Sequence, residues 1–141
     1  MKTLTLALLV LAFASTASGA TGLPKSCPSA AVVNAALGQK NKAPTAVHTP
    51  YAIVCTYRGG GIIPTRVTFQ KDTAATFAAS EKAASAAGVK KLSGIGKAAW
   101  TTTVGGAIYV FTGSYTIKIV ATPLTSFAKI EALARKLLKS P

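Results

Sequence analysis

The pattern of apolar and polar residues along the chain predicts helices that alternate with antiparallel strands. The clearest strand signal covers residues 115–122, where Tyr115 and Ile117 begin a row of apolar side chains on one face. Residues 124–138 are instead apolar at every third or fourth position, with Leu124 as the first member of the stripe. The spacing therefore predicts a terminal strand followed by a terminal amphipathic helix.

Glycine and proline divide the rest of the chain into short elements. Helices are predicted over residues 30–37 and 74–87, and strands over residues 51–57, 62–70, 89–92, 98–104 and 107–113. Residues 39–50 contain two prolines and are predicted to be an exposed loop. The order α-β-β-α-(β)-β-β-β-α predicts a two-layer α+β domain. It would contain an antiparallel sheet of four to six strands with the helices packed on one face.

The amino terminus has the pattern of a secretory signal peptide. Lys2 precedes an apolar stretch, and small residues follow up to Ala20, where cleavage is expected, with Gly19 as the second choice. The stretch is too short for a retained membrane anchor, and no other segment is long enough to span a bilayer. We therefore expect a leader at residues 1–20, a short linker at 21–26, a single domain at 27–139 and an extracytoplasmic location.

Cys27 and Cys55 are the only cysteines, and an exported chain favours their pairing in a disulfide. The bond would close a loop of about 29 residues and contribute about 3–4 kcal/mol of stability. The alternatives are a catalytic thiol, for which His48 is the single basic partner, and a metal site, for which the chain offers too few ligands.

Charge is the compositional feature that departs most from the average. The 141 residues include 16 Lys and Arg but only 3 Asp and Glu, a net charge of +13 that falls by one when the leader is removed. Such a surface attracts anions. The local clusters that we expect to bind them are Lys90, Lys91 and Lys97, and separately Lys40 and Lys42.

For an exported protein, the anionic partners are wall polymers, lipid headgroups or acidic polysaccharides. Nucleic acid is disfavoured by the compartment, and because the lysines are not interleaved with aromatic residues. The alternative to anion binding is that the positive charge serves only to keep the protein soluble.

The inventory of reactive side chains argues against an enzyme. Asp72, Glu81 and Glu131 all fall at predicted helical or capping positions, and His48 lies in the Pro-flanked loop. The glycines of residues 94–96 lack the third glycine and the following helix of a phosphate loop, so no cofactor is predicted. A hydrolase using His48 is a remote alternative.

Trp100 is the one residue that we consider as a candidate to line a ligand-binding pocket. It is expected to enter the core after the turn at residues 94–96, and the alternative is a position at a pocket mouth. In that alternative the protein is a sensor or binding domain for a small ligand or a protein partner, with Trp100 lining the site.

Several short motifs carry a resemblance to a known group of proteins. They are Cys27-Pro28 before the first helix, Cys55-Thr56-Tyr57 in a strand, and the segment Gly-Ile-Gly-Lys-Ala-Ala-Trp at residues 94–100. In these motifs the chain resembles small exported envelope domains of actinobacteria, which are often lipid-anchored and of unknown function. The chain has Lys97 where such domains carry an acidic residue, and it lacks their lipid-attachment cysteine. The resemblance implies an extracytoplasmic binding domain, and no enzyme.

Overall fold

A computed structural model describes residues 22–103 and 106–140, and the predicted leader at residues 1–20 lies outside the described residues. In this part of the chain, seven strands form one antiparallel sheet, accompanied by three α-helices. The strands are β1 Thr45–His48, β2 Ala52–Tyr57, β3 Thr65–Lys71, β4 Val89–Leu92, β5 Ala98–Thr102, β6 Ala107–Phe111 and β7 Tyr115–Val120. The helices are α1 Ala30–Leu37, α2 Ala74–Ala83 and α3 Phe127–Leu138, and a 3₁₀ turn occupies Ser85–Ala87.

The spatial order of the strands is β1-β2-β3-β7-β6-β5-β4. The chain builds one side of the sheet with β1 to β3, and α2 then leads to the far side, from which β4 to β7 return to the centre. The central strands β3 and β7 pair in a register that sets Val67 opposite Ile119 and Phe69 opposite Ile117. The apolar row predicted for residues 115–122 lies in the main core, where Tyr115, Ile117 and Ile119 are buried, although strand β7 ends at Val120 and Thr116 on its other face is buried as well.

The main core lies between the sheet and helices α1 and α3, on what we call the core face. Ile117 and Ile119 from the sheet meet Val33 of α1 and Leu133 of α3 there. Helix α1 has the predicted bounds, since Ser29 caps its first turn and Gly38 ends it with a φ of 67°.

The predicted disulfide is confirmed. Cys27 is bonded to Cys55, and the Cα atoms are 5.7 Å apart. The bond ties the segment that precedes α1 to the middle of β2. A second tie lies beside it, where the buried Tyr57 hydroxyl donates a hydrogen bond of 2.6 Å to the carbonyl of Pro28. Burial raises the pKa of the Tyr57 hydroxyl above its usual range.

The prediction that all helices pack on one face is wrong. Helix α2 lies on the opposite surface, the outer face, where Phe77 packs against Trp100 and Phe111 in a small separate cluster. Residues on the outer face alternate with core residues along each strand, so that Ala99 joins the main core while Trp100 does not. The domain thus has helices on both faces of the sheet, and only part of the outer face is covered.

The predicted count of four to six strands is also wrong, because seven are formed. The additional strand β1 lies in the segment expected to be a loop. All four of its residues are exposed, and it is held by pairing with β2, where Val47 lies opposite Val54. The strand predicted from Val89 to Leu92 is present as β4.

Two predicted bounds are wrong at one end of the sheet. The helix expected from Leu124 begins at Phe127, after Ser126 in an extended conformation at the N-cap position. The strand expected from Ile62 begins at Thr65, because Pro64 has no N–H to donate and restricts the residue before it. Ile62, Ile63 and Leu124 are consequently loop residues.

Candidate functional site

Three loops meet at the end of the sheet where β2 and β7 finish and β3 begins. They comprise residues 38–42, 58–64 and 121–126, and we call them the three-loop end. The backbone N–H of Lys42 donates to the carbonyl of Arg58 at 2.8 Å, and the side-chain amide of Gln39 donates to the hydroxyl of Thr125 at 3.1 Å. The loops therefore form one connected surface.

A buried amide network holds these loops in place. The Asn41 side chain donates to Asn34 Oδ1 at 3.0 Å and to Gln39 Oε1 at 2.8 Å, and its own Oδ1 accepts the backbone N–H of Gly60 at 3.1 Å. The Thr65 hydroxyl also donates to Gln39 Oε1, at 2.8 Å. Because Asn41 and Thr65 are buried, these bonds are protected from competing water and fix the loop positions.

The loops pack too closely for larger residues. A Cβ atom added to Gly60 would lie 2.5 Å from Asn41 Oδ1, and one added to Gly61 would lie 2.6 Å from Thr122 Cγ2. The glycines of the 58–64 hairpin thus allow it to approach the other two loops, and glycine is required there for steric reasons.

A cavity of about 470 Å³ opens between the loops. Its lining consists of Leu37, Gly38, Gln39, Gly60, Gly61, Ile62, Ile63, Thr122, Pro123, Leu124, Thr125 and Lys129. Two apolar side chains at its rim are almost entirely in solvent, since Ile62 is 100% exposed and Leu124 is 94% exposed.

The three-loop end is basic and contains no carboxylate. Residues 38–42, 58–64 and 121–126 include Lys40, Lys42 and Arg58 but neither Asp nor Glu. Lys129, in the first turn of α3, joins them, with its ammonium 3.0 Å from the position that a Cβ on Gly38 would take. In the part of the chain that the structure describes, the ion pairs are Lys91–Glu81 and Arg135–Glu131, so these four cations have no carboxylate within 4.0 Å.

The structure separates the predicted cluster of Lys90, Lys91 and Lys97. Lys91 lies on the outer face and pairs with Glu81 at 3.1 Å, whereas Lys90 points to the opposite face and lines a shallow cavity of about 330 Å³. Lys97 lies near Gly113, beside the β6–β7 turn at the other end of the sheet. Lys40 and Lys42, in contrast, lie together beside Arg58 in the three-loop end.

Trp100 lies inside the outer-face cluster and is 2% exposed. Its ring stacks on Tyr109 with 3.9 Å between centroids, and the Lys118 ammonium lies 5.1 Å from the centroid of the Tyr109 ring. Its indole N–H has no hydrogen-bond partner among the described residues. Trp100 does not line the cavity of the three-loop end, and its part in ligand binding stays a prediction.

A second cavity, of about 440 Å³, lies at the opposite end of the core. Residues 22–28 cover it, with Phe69, Tyr115 and Leu137 among the apolar residues beneath. Leu23 from the covering segment also packs against the main core.

The groups considered for catalysis are dispersed. His48 is exposed on β1, opposite Ile53, and its imidazole makes no hydrogen bond with the described residues. Asp72 accepts hydrogen bonds from the Thr116 hydroxyl at 2.6 Å and from the backbone N–H of Thr73 at 2.9 Å. Across residues 22–103 and 106–140, no three His, Cys, Asp or Glu side chains are grouped so that they could hold a metal ion.

Comparison with known proteins finds no matching family model, no matching curated protein and no matching solved structure. The resemblance to actinobacterial envelope domains therefore stays a prediction, apart from the disulfide. Among the described residues, no helix has the length and apolar character needed to cross a bilayer.

Sequence reasoning missed Arg58 and Lys129 as neighbours of Lys40 and Lys42. The first is 16 residues beyond Lys42 and the second lies in another element, so only the folded chain brings them together. A usable signal was present at residues 58–63, where a cation, three glycines and two isoleucines follow one another in a hairpin turn.

Proposed function

We propose that this protein is a secreted, non-enzymatic binding module that associates with anionic cell-envelope material. The observation that carries the proposal is the grouping of Lys40, Lys42, Arg58 and Lys129 on one surface without a carboxylate partner. Cations without internal partners remain available to an external anion, and their fields add where they lie close together.

Further support comes from the rigidity of the surface. The loops that carry Lys40, Lys42 and Arg58 are joined by the buried bonds of Asn41 and Gln39. Fewer loop conformations have to be lost on binding when the cations are already held in place. The resemblance to exported envelope domains and the Cys27–Cys55 disulfide agree with an extracytoplasmic partner.

The test uses phosphocellulose as a phosphate-bearing polyanion and elutes the exported protein with a salt gradient. We expect retention at low salt and release as ionic strength rises, because screening weakens contacts between exposed charges. No retention at low salt would overturn the proposal.

A pair of variants with equal net charge tests the assigned surface. Lys40→Gln/Lys42→Gln/Arg58→Gln removes three cations of the three-loop end, and Lys71→Gln/Lys82→Gln/Lys139→Gln removes three exposed cations elsewhere. The first variant should elute at clearly lower salt than the second. Equal elution of the two variants would show that total charge, and not this surface, determines retention.

The alternative function, in which a Trp100-lined face binds a small ligand or a protein, has weaker support. Trp100 is covered by Phe77 and Tyr109, which leaves little of its surface for contact with a partner. A salt-insensitive complex that is lost in Trp100→Phe, with the fold retained, would favour this alternative.

A further inference from the structure

Exposed apolar side chains are concentrated at the three-loop end. Ile62 and Leu124 are almost fully exposed, and Ile63 beside them is 47% exposed. Single exposed apolar residues are common on protein surfaces, but three branched ones around one cavity form a patch. This patch occurs at the same end of the molecule as the unpaired cations.

The loops fix the relative positions of these side chains. Ile62 lies in the hairpin between β2 and β3, and Leu124 follows the end of β7, the strand paired with β3. The close packing of Gly61 on Thr122 sets the two loops side by side. Ile62 and Leu124 therefore project from neighbouring loops beyond the end of the sheet.

We propose that the three-loop end docks on the surface of an anionic lipid bilayer. Ile62, Ile63 and Leu124 enter the boundary between headgroups and acyl chains, while Lys40, Lys42, Arg58 and Lys129 contact the anionic headgroups. This inference rests on the proposed function, since it names a bilayer as the anionic material.

Two kinds of contact together distinguish a bilayer from a soluble polyanion. A phosphate polymer or an acidic polysaccharide is bound by the cations alone and gains nothing from exposed isoleucine and leucine side chains. A bilayer surface presents negative headgroups directly above an apolar layer, and peripheral binding increases with both apolar burial and attraction to anionic lipids. Charge complementarity and the apolar tips therefore favour the bilayer as occupant.

The first experiment measures binding to vesicles by co-sedimentation, with vesicles of phosphatidylglycerol mixed with phosphatidylcholine, or of phosphatidylcholine alone. The parent protein should bind the mixed vesicles and leave the neutral ones largely unbound. Ile62→Asn/Leu124→Asn should weaken binding to the mixed vesicles by about tenfold per side chain. Its elution from phosphocellulose should not change, because no charge is removed.

The matched control is Val47→Asn/Tyr51→Asn, which replaces two exposed apolar residues away from the three-loop end. This variant should bind mixed vesicles as the parent does. Emission from Trp100, which is buried beneath Phe77, reports whether each variant remains folded.

The second experiment locates the part of the molecule that enters the bilayer. Leu124→Trp and Tyr51→Trp each add one indole to the buried Trp100, and Tyr51 lies at the opposite end of β2 from the three-loop end. Lipids with brominated acyl chains should quench the added indole in Leu124→Trp and leave Tyr51→Trp at the level of the parent.

The outcomes separate this inference from the proposed function. Retention on phosphocellulose without binding to mixed vesicles would overturn the bilayer inference and leave the proposed function standing. The bilayer inference would also be overturned if Ile62→Asn/Leu124→Asn bound vesicles as well as the parent does, or if the added indole at position 124 were not quenched. If the parent protein is not retained on phosphocellulose at low salt, both the proposed function and the bilayer inference are overturned.

Discussion

Asn41 is the residue that connects the loops of the candidate site most directly. Its side chain bonds to Asn34 and Gln39, and it accepts the N–H of Gly60 from the hairpin between β2 and β3. Nothing in the sequence distinguished Asn41 from an ordinary polar loop residue, because its partners come from three segments. The sequence showed the cations, and the structure was needed to show what positions them.

Removing this side chain should loosen the site and lower stability. Asn41→Ala removes the side-chain hydrogen bonds to Asn34 Oδ1 and Gln39 Oε1 and leaves the Gly60 N–H without its acceptor. We expect the free energy of unfolding to fall by about 2 kcal/mol. Urea denaturation measures the change, with Gln70→Ala, on the exposed outer face, as the control. A loss in Asn41→Ala no greater than in the control would contradict the role of the network.

Tyr57 makes stability sensitive to alkaline pH. Burial raises the pKa of its hydroxyl above the unfolded value of about 10, so the folded state keeps the proton that the unfolded state releases. Its stabilising contribution is present below pH 10 and is lost as the pH rises above that value. The free energy of unfolding should fall by about 1.4 kcal/mol per pH unit there.

The comparison with Tyr57→Phe isolates this contribution. The variant loses the hydrogen bond to the Pro28 carbonyl at neutral pH, but its stability should decline less steeply between pH 10 and pH 11. Urea denaturation across this range measures both slopes. Parallel slopes for the two proteins would show that Tyr57 does not titrate with unfolding.

At the scale of elements, local pattern identified the helices and strands that bury one face. In strand β7 the apolar residues recur at every second position, and in helix α1 Ser29 and Gly38 mark the two ends, so both elements can be predicted from their own residues. Strand β1 was not predicted from the sequence, because it is exposed on both faces and depends on pairing with β2. The side of the sheet on which α2 lies was also not predicted, since half of the residues in Ala74–Ala83 are alanine and Phe77 is its one large apolar residue, so the helix has no distinct apolar stripe.

Helix α2 packs on the sheet with a single buried residue, and its Glu81 adds an ion pair to Lys91 of β4. Phe77 contacts Trp100 and Phe111, and it is the one buried side chain of the helix. Phe77→Ala should lower the free energy of unfolding by about 3 kcal/mol. It should also speed hydrogen exchange in Ala74–Ala83 and shift Trp100 emission to longer wavelength, while exchange in β3 and β7 stays slow.

Lys82→Ala, at an exposed position of the same helix, is the control for this change. It should leave both the exchange rates and the Trp100 emission unaltered. Equal acceleration of exchange throughout the sheet in Phe77→Ala would show that α2 and the main core unfold as one unit.

At the scale of the whole molecule, excess positive charge opposes the compact state. With 16 Lys and Arg against 3 Asp and Glu, folding brings like charges closer together. Sodium chloride screens this repulsion, so we expect Tm at neutral pH to rise by a few degrees from low to moderate ionic strength.

Thermal unfolding followed by Trp100 emission measures this effect. Lys71→Gln/Lys82→Gln/Lys139→Gln carries less excess charge and should show a smaller rise in Tm over the same salt range. A Tm that is independent of salt in the parent protein would contradict the assumed repulsion.

The sheet is open, so its two edge strands could pair with those of other copies of the protein at high local concentration. Its outermost strands, β1 and β4, leave backbone groups through which separate chains could join into fibrils. Pro44 and Pro50 flank β1, while β4 is short and carries Lys90 and Lys91. Prolines and lysines oppose such joining. A protein concentrated on a surface by its loops would thus be protected from polymerising there.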